Sequence, residues 1–396
     1  MTVKDAVQRD FSHDYEPVSV LTFHGRLQQL DYRGYRLLLD LEGRIKWIEP
    51  LRAGLWPGPS SALRRTMGNR WLLYDSGAYQ DVFELTGRYY FPIPFGQEGA
   101  AFGTADSGKL RKVLALVDEA AVRFGFPDSA ELGFQAAKLR SILKATVPVL
   151  PPDAICIDYD ILPLMLTRGC VHNCRFCAVK TSAEIETVGQ EEFRAQVDGL
   201  TKWTGRDLNN YQGLFIGQND ALAAGQRCLM QAAEHACGSL PCDRLFLFGS
   251  VASFMERAGL DQPPSSALEA LARLPFKEVV VNIGLESFHQ GALDYLGKPV
   301  KAADVRQAFR QGLELAAKHD RLKISFNFVL SKALSRDHMD LISQELAGAP
   351  KGSGCRVYLS PLLSESWRPG QLKRMLFRLK GLSRLPVFAY FLVPYL

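Results

Sequence analysis

Ile161-Leu-Pro-Leu-Met-Leu-Thr-Arg-Gly-Cys170-Val-His-Asn-Cys174-Arg-Phe-Cys177-Ala178 is an apolar run that opens directly into three closely spaced cysteines. Thiolates at this spacing can hold three irons of a [4Fe-4S] cube and leave the fourth iron open. Electron-transfer clusters instead cap every iron with a cysteine. An open iron is where a substrate or cofactor coordinates, so the spacing points to chemistry rather than electron carriage. Zinc is the competing reading, but it takes four tetrahedral ligands, usually as two separated pairs. His172, inside so short a loop, is poorly placed as the fourth. A four-cysteine ferredoxin run lacks its last member, because no cysteine closely follows Ala178.

From about residue 155 onward the chain alternates strand-like and helix-like segments. Short β-branched or aromatic runs occur at 161–166, 214–217, 245–249, 279–284, 324–330 and 357–359, with 387–392 as a candidate seventh. Between them lie amphipathic patterns. Phe193, Val197, Leu200 and Trp203 share one face, with Glu191 and Glu192 in the first turn, where the helix dipole favours anions. Ser266 and Glu269 form a candidate capping box. Val305, Phe309 and Leu313 mark a further helix, and Met339, Ile342 and Leu346 another. Alternation of this kind implies a parallel sheet with helical crossovers, and chemistry at the carboxyl ends of its strands.

The cysteine spacing, C-x3-C-x-aromatic-C with Phe176 as the aromatic, resembles the signature of the radical S-adenosylmethionine (SAM) superfamily. The resemblance covers about residues 155 to 396. It implies an α/β core, a partial (β/α)6 barrel with a possible seventh strand; residues 1–150, outside the resemblance, read from their own strand-like and helical segments as a smaller α+β domain. It also implies that Cys170, Cys174 and Cys177 bind a [4Fe-4S] cluster, with Phe176 packed beside it. In that family the open iron chelates SAM, and an electron from the cluster cleaves it to a 5'-deoxyadenosyl radical that abstracts hydrogen from a substrate.

Later strand ends carry the resemblance less completely. Where the family has a Gly-Gly-Glu-like segment for the amino group of SAM, this chain has Phe215-Ile-Gly-Gln-Asn-Asp220. Gly217, Gln218, Asn219 and Asp220 take that place, and Asn219-Asp220 also reads as a helix N-cap. Asn282-Ile-Gly-Leu-Glu-Ser-Phe288, followed by Leu296-Gly-Lys298, is similar to a segment of enzymes related to coproporphyrinogen dehydrogenase and of Elongator-type enzymes. That similarity puts Glu286 and Ser287 near the ribose and carboxylate of SAM. Asn327 and Ser360 are further candidate pocket residues, although the family's glycine-rich segment after strand five is replaced by Phe328-Val-Leu-Ser-Lys-Ala333.

The 396 residues, 47% hydrophobic and 22% charged, suffice for a large globular core. The polar stretch Met1 to Glu16 has no apolar h-region, and no stretch has the apolar length of a membrane span. These features lead to the expectation of a cytoplasmic enzyme whose eight cysteines are thiols or metal ligands rather than disulfides. The net charge of +5 is concentrated in Arg368 to Arg384, which carries six basic residues and no acid, leaving 41 basic against 42 acidic elsewhere. Leu372, Met375, Leu376, Leu379 and Leu382 recur within it at helical spacing, so it reads first as an outer helix with a solvated basic face. Docking of an acidic electron donor, flavodoxin or ferredoxin, is the next reading. RNA contact is a third, testable by its salt dependence.

In the N-terminal third, 18–24, 35–41 and 45–48 look like strands, the last two joined at Glu42-Gly43, and 109–124 reads as an amphipathic helix. Gly103 and Gly108 have P-loop spacing, but Lys109-Leu110 follows instead of Lys and Ser or Thr. Pro148 to Pro152 reads as a linker. Cys228, Cys237 and Cys242 have no recognised cluster spacing, and Cys228 sits in a helical pattern. The sequence has no cysteine before Cys156, no Asp-x-His-x-x-Gly cobalamin motif, and only Cys355 after Val300. These observations predict an enzyme with a single cluster and an unknown substrate. A cluster-bearing carrier with little turnover, such as a haem chaperone, is the alternative.

Overall fold

The computed structural model describes residues 19–23, 27–33, 35–50, 107–145, 151–153, 161–170, 172, 174–177, 184–255, 264–362, 365 and 369–389. Four strands come first: β1 (Ser19–Phe23), β2 (Leu27–Tyr32), β3 (Tyr35–Leu39) and β4 (Ile45–Pro50). They pair antiparallel in sequence order. β3 and β4 turn at Glu42-Gly43 as read from the sequence, with Gly43 at φ 79°, where a Cβ would be strained. Two helices follow, α1 (Ser107–Phe124) and α2 (Ser129–Leu143). The expected Gly103–Gly108 motif lies partly outside the described residues, and Gly108 is inside α1.

The remainder is β5 (Ile161–Met165), β6 (Thr167–Arg168), β7 (Glu186–Thr187), α3 (Gln190–Thr204), β8 (Gly213–Gly217), α4 (Gly225–Ser239), β9 (Arg244–Ser250) and α5 (Val251–Met255). Next come α6 (Pro264–Leu271), β10 (Glu278–Glu286), α7 (Gln290–Leu296), α8 (Ala302–Lys318), β11 (Leu322–Leu330), α9 (Arg336–Gly348), β12 (Cys355–Pro361), α10 (Pro369–Leu382) and β13 (Val387–Ala389). Seven of these strands form one parallel sheet in the order β13-β12-β11-β10-β9-β8-β5. Among the described residues the sheet ends at β5 on one side and β13 on the other. The candidate seventh strand exists over Val387–Ala389, and the residues after it lie outside those described.

Burial on both faces explains the continuous apolar runs: every residue of β5 and β8 is buried. Helix α8 packs Gly312 on the Phe326 ring and Ile324, so those residues face the helices. The alternating Ser325 and Asn327 therefore face the opposite side of the sheet. The capping-box reading fails at Ser266, which is the third residue of α6. Pro264 stands first instead, where a missing N–H costs nothing.

The N-terminal elements pack on the parallel-sheet unit. Arg44 is buried, ion-paired to Asp40 at 2.6 Å, and donates to the Trp203 carbonyl at 2.9 Å with its guanidinium 4.3 Å from the centre of the Trp203 ring. Trp203 Nε1 donates to the Gln135 carbonyl on α2 at 3.2 Å. Leu30, Leu37, Leu39, Leu139 and Leu143 join the strands of the parallel sheet in one apolar core.

Candidate active site

The cysteine loop is closed at its base by backbone pairing. β6 and β7 pair antiparallel, Thr167 with Thr187 and Arg168 with Glu186. Arg168 fixes the base further through Glu186, Glu192 and the Leu143 carbonyl. Gly169 turns the chain at φ 88°, and the Cys177 N–H donates to the Cys174 carbonyl at 3.2 Å. From the other side the Arg175 N–H donates to the Leu296 carbonyl at 2.9 Å, and its guanidinium to the Asp294 carbonyl at 2.9 Å. Gly297, at φ 65°, lets this happen, because a Cβ there would stand 3.0 Å from the Arg175 side chain. The end of α7 therefore clamps the loop that follows β5.

Cys174 is buried, whereas Cys170 and Cys177 are half-buried. Burial pushes the Cys174 thiol up to about 11, with Lys298 opposing and Glu286, Cys177 and Cys170 reinforcing. Cys170 and Cys177 are thus within electrostatic reach of Cys174. A coordinating cation reverses that balance and takes a thiol as thiolate. Among the described residues no three His, Cys, Asp or Glu side chains converge as ligands of a single ion. A cubane takes one thiolate per iron and does not ask three sulfurs to meet at a point. Nε2 of His172, in the same loop, is buried without a partner. Burial lowers its pKa, with Lys298 adding and Asp220 opposing. An orphaned buried nitrogen in the loop that carries the three thiols fits a loop completed by a further group.

Gly217 to Asp220 lie directly against the start of the cysteine loop. The Leu166 N–H donates to the Gly217 carbonyl at 2.8 Å, and the Gln218 N–H to the Thr167 carbonyl at 2.9 Å. The buried Thr167 hydroxyl sits 3.3 Å from the Gly217 carbonyl and 3.1 Å from the Asp220 carbonyl. Asp220 precedes a short 3-10 turn, Ala221–Ala224, but its carboxylate does not cap it. It accepts from Ser253 Oγ at 2.7 Å, which replaces the N-cap expected from sequence.

At the end of β10, Glu286 adopts φ 65° beside a register shift in the ladder to β11. Its Oε1 receives Lys298 Nζ at 2.9 Å, and the same ammonium donates to the Gly284 carbonyl at 2.6 Å. Ser287 is fully buried. Its hydroxyl stands 2.7 Å from Nδ1 of His338 and accepts from the His289 N–H at 2.9 Å. Sequence reasoning singled out Glu286 and Ser287 but gave no role to Lys298, Thr167, Arg175 or His338. Lys298 was within the run already noticed, whereas His338 carried no local signal.

A second polar group lies lower on the same face of the sheet. Asn282 and Asn327 exchange amide hydrogen bonds at 3.1 and 2.7 Å, and Asn282 also donates to Ser325 at 2.7 Å. Ser325 donates to Asp153, which also receives Tyr358 at 3.0 Å and Arg356 at 3.1 Å. Ser360 Oγ is buried and unpartnered. Phe176 is half-buried between Arg175 and Cys177. Away from the site, Cys242 donates to the Tyr211 carbonyl at 3.5 Å, as a small core residue does. On α10 Leu379 is buried, but Leu382 and Phe377 are 46% and 60% exposed, so the apolar stripe is only partly covered.

No protein-family model matches the chain, and no curated protein matches it. Among solved structures it is similar to the cobalamin-dependent S-adenosylmethionine radical enzyme OxsB with aqua-cobalamin bound. The match has 15% identity and TM-score 0.38, over 59% of this chain and 32% of that one. The same enzyme with S-adenosylmethionine also bound gives the same values. The chain thus spans about a third of that enzyme's length. A Plasmodium berghei orotidine 5'-monophosphate decarboxylase matches at 10% identity and TM-score 0.30, over 72% of this chain and 73% of that one. At these identities and scores neither likeness bears on what the chain does. Among the described residues no helix is long and apolar enough to cross a membrane.

Proposed function

We propose that the chain is a radical SAM enzyme, with a [4Fe-4S] cluster on Cys170, Cys174 and Cys177 and its parallel sheet as the partial barrel of that superfamily. The reading is carried by one observation. Cys170, Cys174 and Cys177 share a loop that is closed at its base by β6 and β7 and clamped through Arg175 to the turn bearing Lys298. When bound, the cluster would supply SAM with the low-potential electron that starts radical reactions.

The chain's own residues would divide the binding by strand end. Phe176 would pack beside the cluster. Gly217, Gln218, Asn219 and Asp220 would receive the SAM ammonium. Asp220 commits Oδ1 to Ser253 and has Oδ2 for that contact. Glu286 commits Oε1 to Lys298 and would accept ribose hydroxyls through Oε2. Ser287 and Asn327 have protein partners and would shape the pocket, whereas the unpartnered Ser360 hydroxyl would meet a ligand. The exposed basic residues of α10 would receive an acidic flavodoxin or ferredoxin. The substrate-level step would be hydrogen abstraction.

The test is anaerobic. The chain and its Cys174→Ala variant are reconstituted with iron and sulfide, given SAM and dithionite, and assayed for 5'-deoxyadenosine. Formation in the wild type and its loss in the variant are expected. A wild-type chain that assembles no cluster sinks the reading, and an assembled cluster without cleavage turns it toward the carrier role.

A further inference from the structure

Lys298 directly follows the glycine that ends α7, in the turn whose Leu296 carbonyl holds the cysteine loop. Its ammonium is inside the protein, at 7% exposure, with Gly284 O and Glu286 Oε1 as acceptors. Burying such a pair costs several kcal/mol per ion in lost hydration, and a well-packed apolar pair often stabilises as well. The pair therefore calls for a role other than stability. The backbone is cleared for it: a Cβ on Gly284 would stand 3.0 Å from Lys298 Nζ. The Arg175 N–H, next to Cys174 in the cysteine loop, donates to the Leu296 carbonyl two residues before Lys298 at 2.9 Å, which holds the Lys298 turn against that loop.

We propose that Lys298 is the internal counter-charge of the cysteine loop, a positioning residue that sets the reduction potential of the cluster against an opposing Glu286. The proposal rests on the assignment of a [4Fe-4S] cluster to Cys170, Cys174 and Cys177. Three thiolates make that cluster anionic, and reduction adds a further negative charge. Net charge nearby is one of the determinants of cluster potential. A fixed cation in surroundings of low dielectric stabilises the reduced form more than the oxidised form. Glu286 does the opposite. Removing the ammonium lowers the potential, and neutralising the carboxylate raises it. Opposite signs from two touching side chains separate a charge effect from loose packing.

The experiment is an anaerobic redox titration, followed by electron paramagnetic resonance, of the reconstituted full chain and of K298M, E286Q and the double variant. Iron and sulfide content are measured first. At fixed solution potential, K298M is expected to lower the reduced-to-oxidised ratio about tenfold, about 59 mV for one electron. E286Q raises the ratio, and the double variant returns it close to wild type. If K298M holds no cluster, E286Q decides: a positive shift supports the role and an unmoved potential overturns it. A clustered wild type with all variants unmoved overturns the charge role alone. A wild-type chain without a cluster overturns the cluster assignment, and this proposal with it.

Discussion

The hydroxyl of Ser287 donates to Nδ1 of His338 at 2.7 Å, joining the end of β10 to the first turn of α9. Nε2 of the same ring donates to the Val329 carbonyl at 2.8 Å. A carbonyl can only accept, so Nε2 carries the proton and Nδ1 is the acceptor. The neutral tautomer is fixed by its two partners, and the segment after Glu286 is fixed with it.

Protonation of His338 would remove that acceptor, so stability depends on pH here. Burial lowers its pKa, with the Val329 bond opposing and His289 adding to the lowering. The unfolded chain binds a proton that the folded chain refuses. The contribution is present above about pH 6.5 and is lost as pH falls through the folded value. One such site gives a slope of at most about 1.4 kcal/mol per pH unit. Urea denaturation of wild type and H338Q between about pH 8 and pH 5 checks it. The variant should show the shallower acid decline; parallel curves would refute the assignment.

Asp153 anchors the residues before β5 to the sheet, and its neutral amide should be tolerated better than its removal. Burial raises its pKa, with Ser325, Arg356 and Tyr358 opposing. A raised carboxylate contributes most below about pH 3.9 and loses that contribution as pH rises through the folded value. Asp153→Ala leaves Arg356, Tyr358 and Ser325 without their common acceptor and should cost about 3 kcal/mol. Asp153→Asn keeps an acceptor oxygen and should cost less. Equal losses by chemical denaturation at neutral pH would show that the carboxylate's charge, not its acceptor geometry, holds the network.

Gly284 separates the Glu286–Lys298 pair from the strand. A methyl at Gly284→Ala meets the Glu286 carboxylate and stands 3.0 Å from the Lys298 ammonium, so the pair must shift. Overpacking of this kind costs about 1–3 kcal/mol. Thermal unfolding should register that loss, and reconstituted iron content should fall because the Lys298 turn also clamps Arg175. Unchanged stability and iron content together would mean that the turn absorbs the shift.

The strands of the parallel sheet were legible because burial on both faces writes continuous β-branched and aromatic runs, as at Val279 to Val281. β2 was not, because Leu27-Gln-Gln-Leu-Asp-Tyr32 has no clean alternation and becomes a strand by pairing with β1 and β3 on either side. Helix α2 is also faint in the sequence: Gly133, a weak helix former, lies within it and Phe134 is 63% exposed, so its apolar face is poorly marked. At the site, Cys170, Cys174 and Cys177 announce themselves by spacing within eight residues. Partnerships across long separations leave no periodic trace: Asp153 meets Tyr358 205 residues away, and Ser287 meets His338 51 away.

Thr167 ties the segment expected to meet SAM to the loop expected to meet iron, so its substitution should separate the two functions. Its hydroxyl receives the Gln218 N–H at 3.2 Å and lies 3.1 Å from the Asp220 carbonyl. Thr167→Val keeps the shape and leaves these buried groups with one partner fewer, a loss of about 1–3 kcal/mol. The thiols are untouched, and the β6–β7 pairing is made by backbone, so iron content should hold. Residues 217–220 keep their backbone bonds to Leu166 and Thr167 but lose the hydroxyl contacts, so SAM affinity should fall, by about tenfold for 1.4 kcal/mol of the loss. Thr167→Ser restores the hydroxyl and should restore binding. Equilibrium binding of SAM to the reconstituted protein reads the affinity, and iron analysis reads the loop. If Thr167→Val binds SAM as wild type does, the Thr167 hydroxyl does not hold residues 217–220 for SAM. If iron is lost together with SAM, the Thr167 hydroxyl holds the cysteine loop itself.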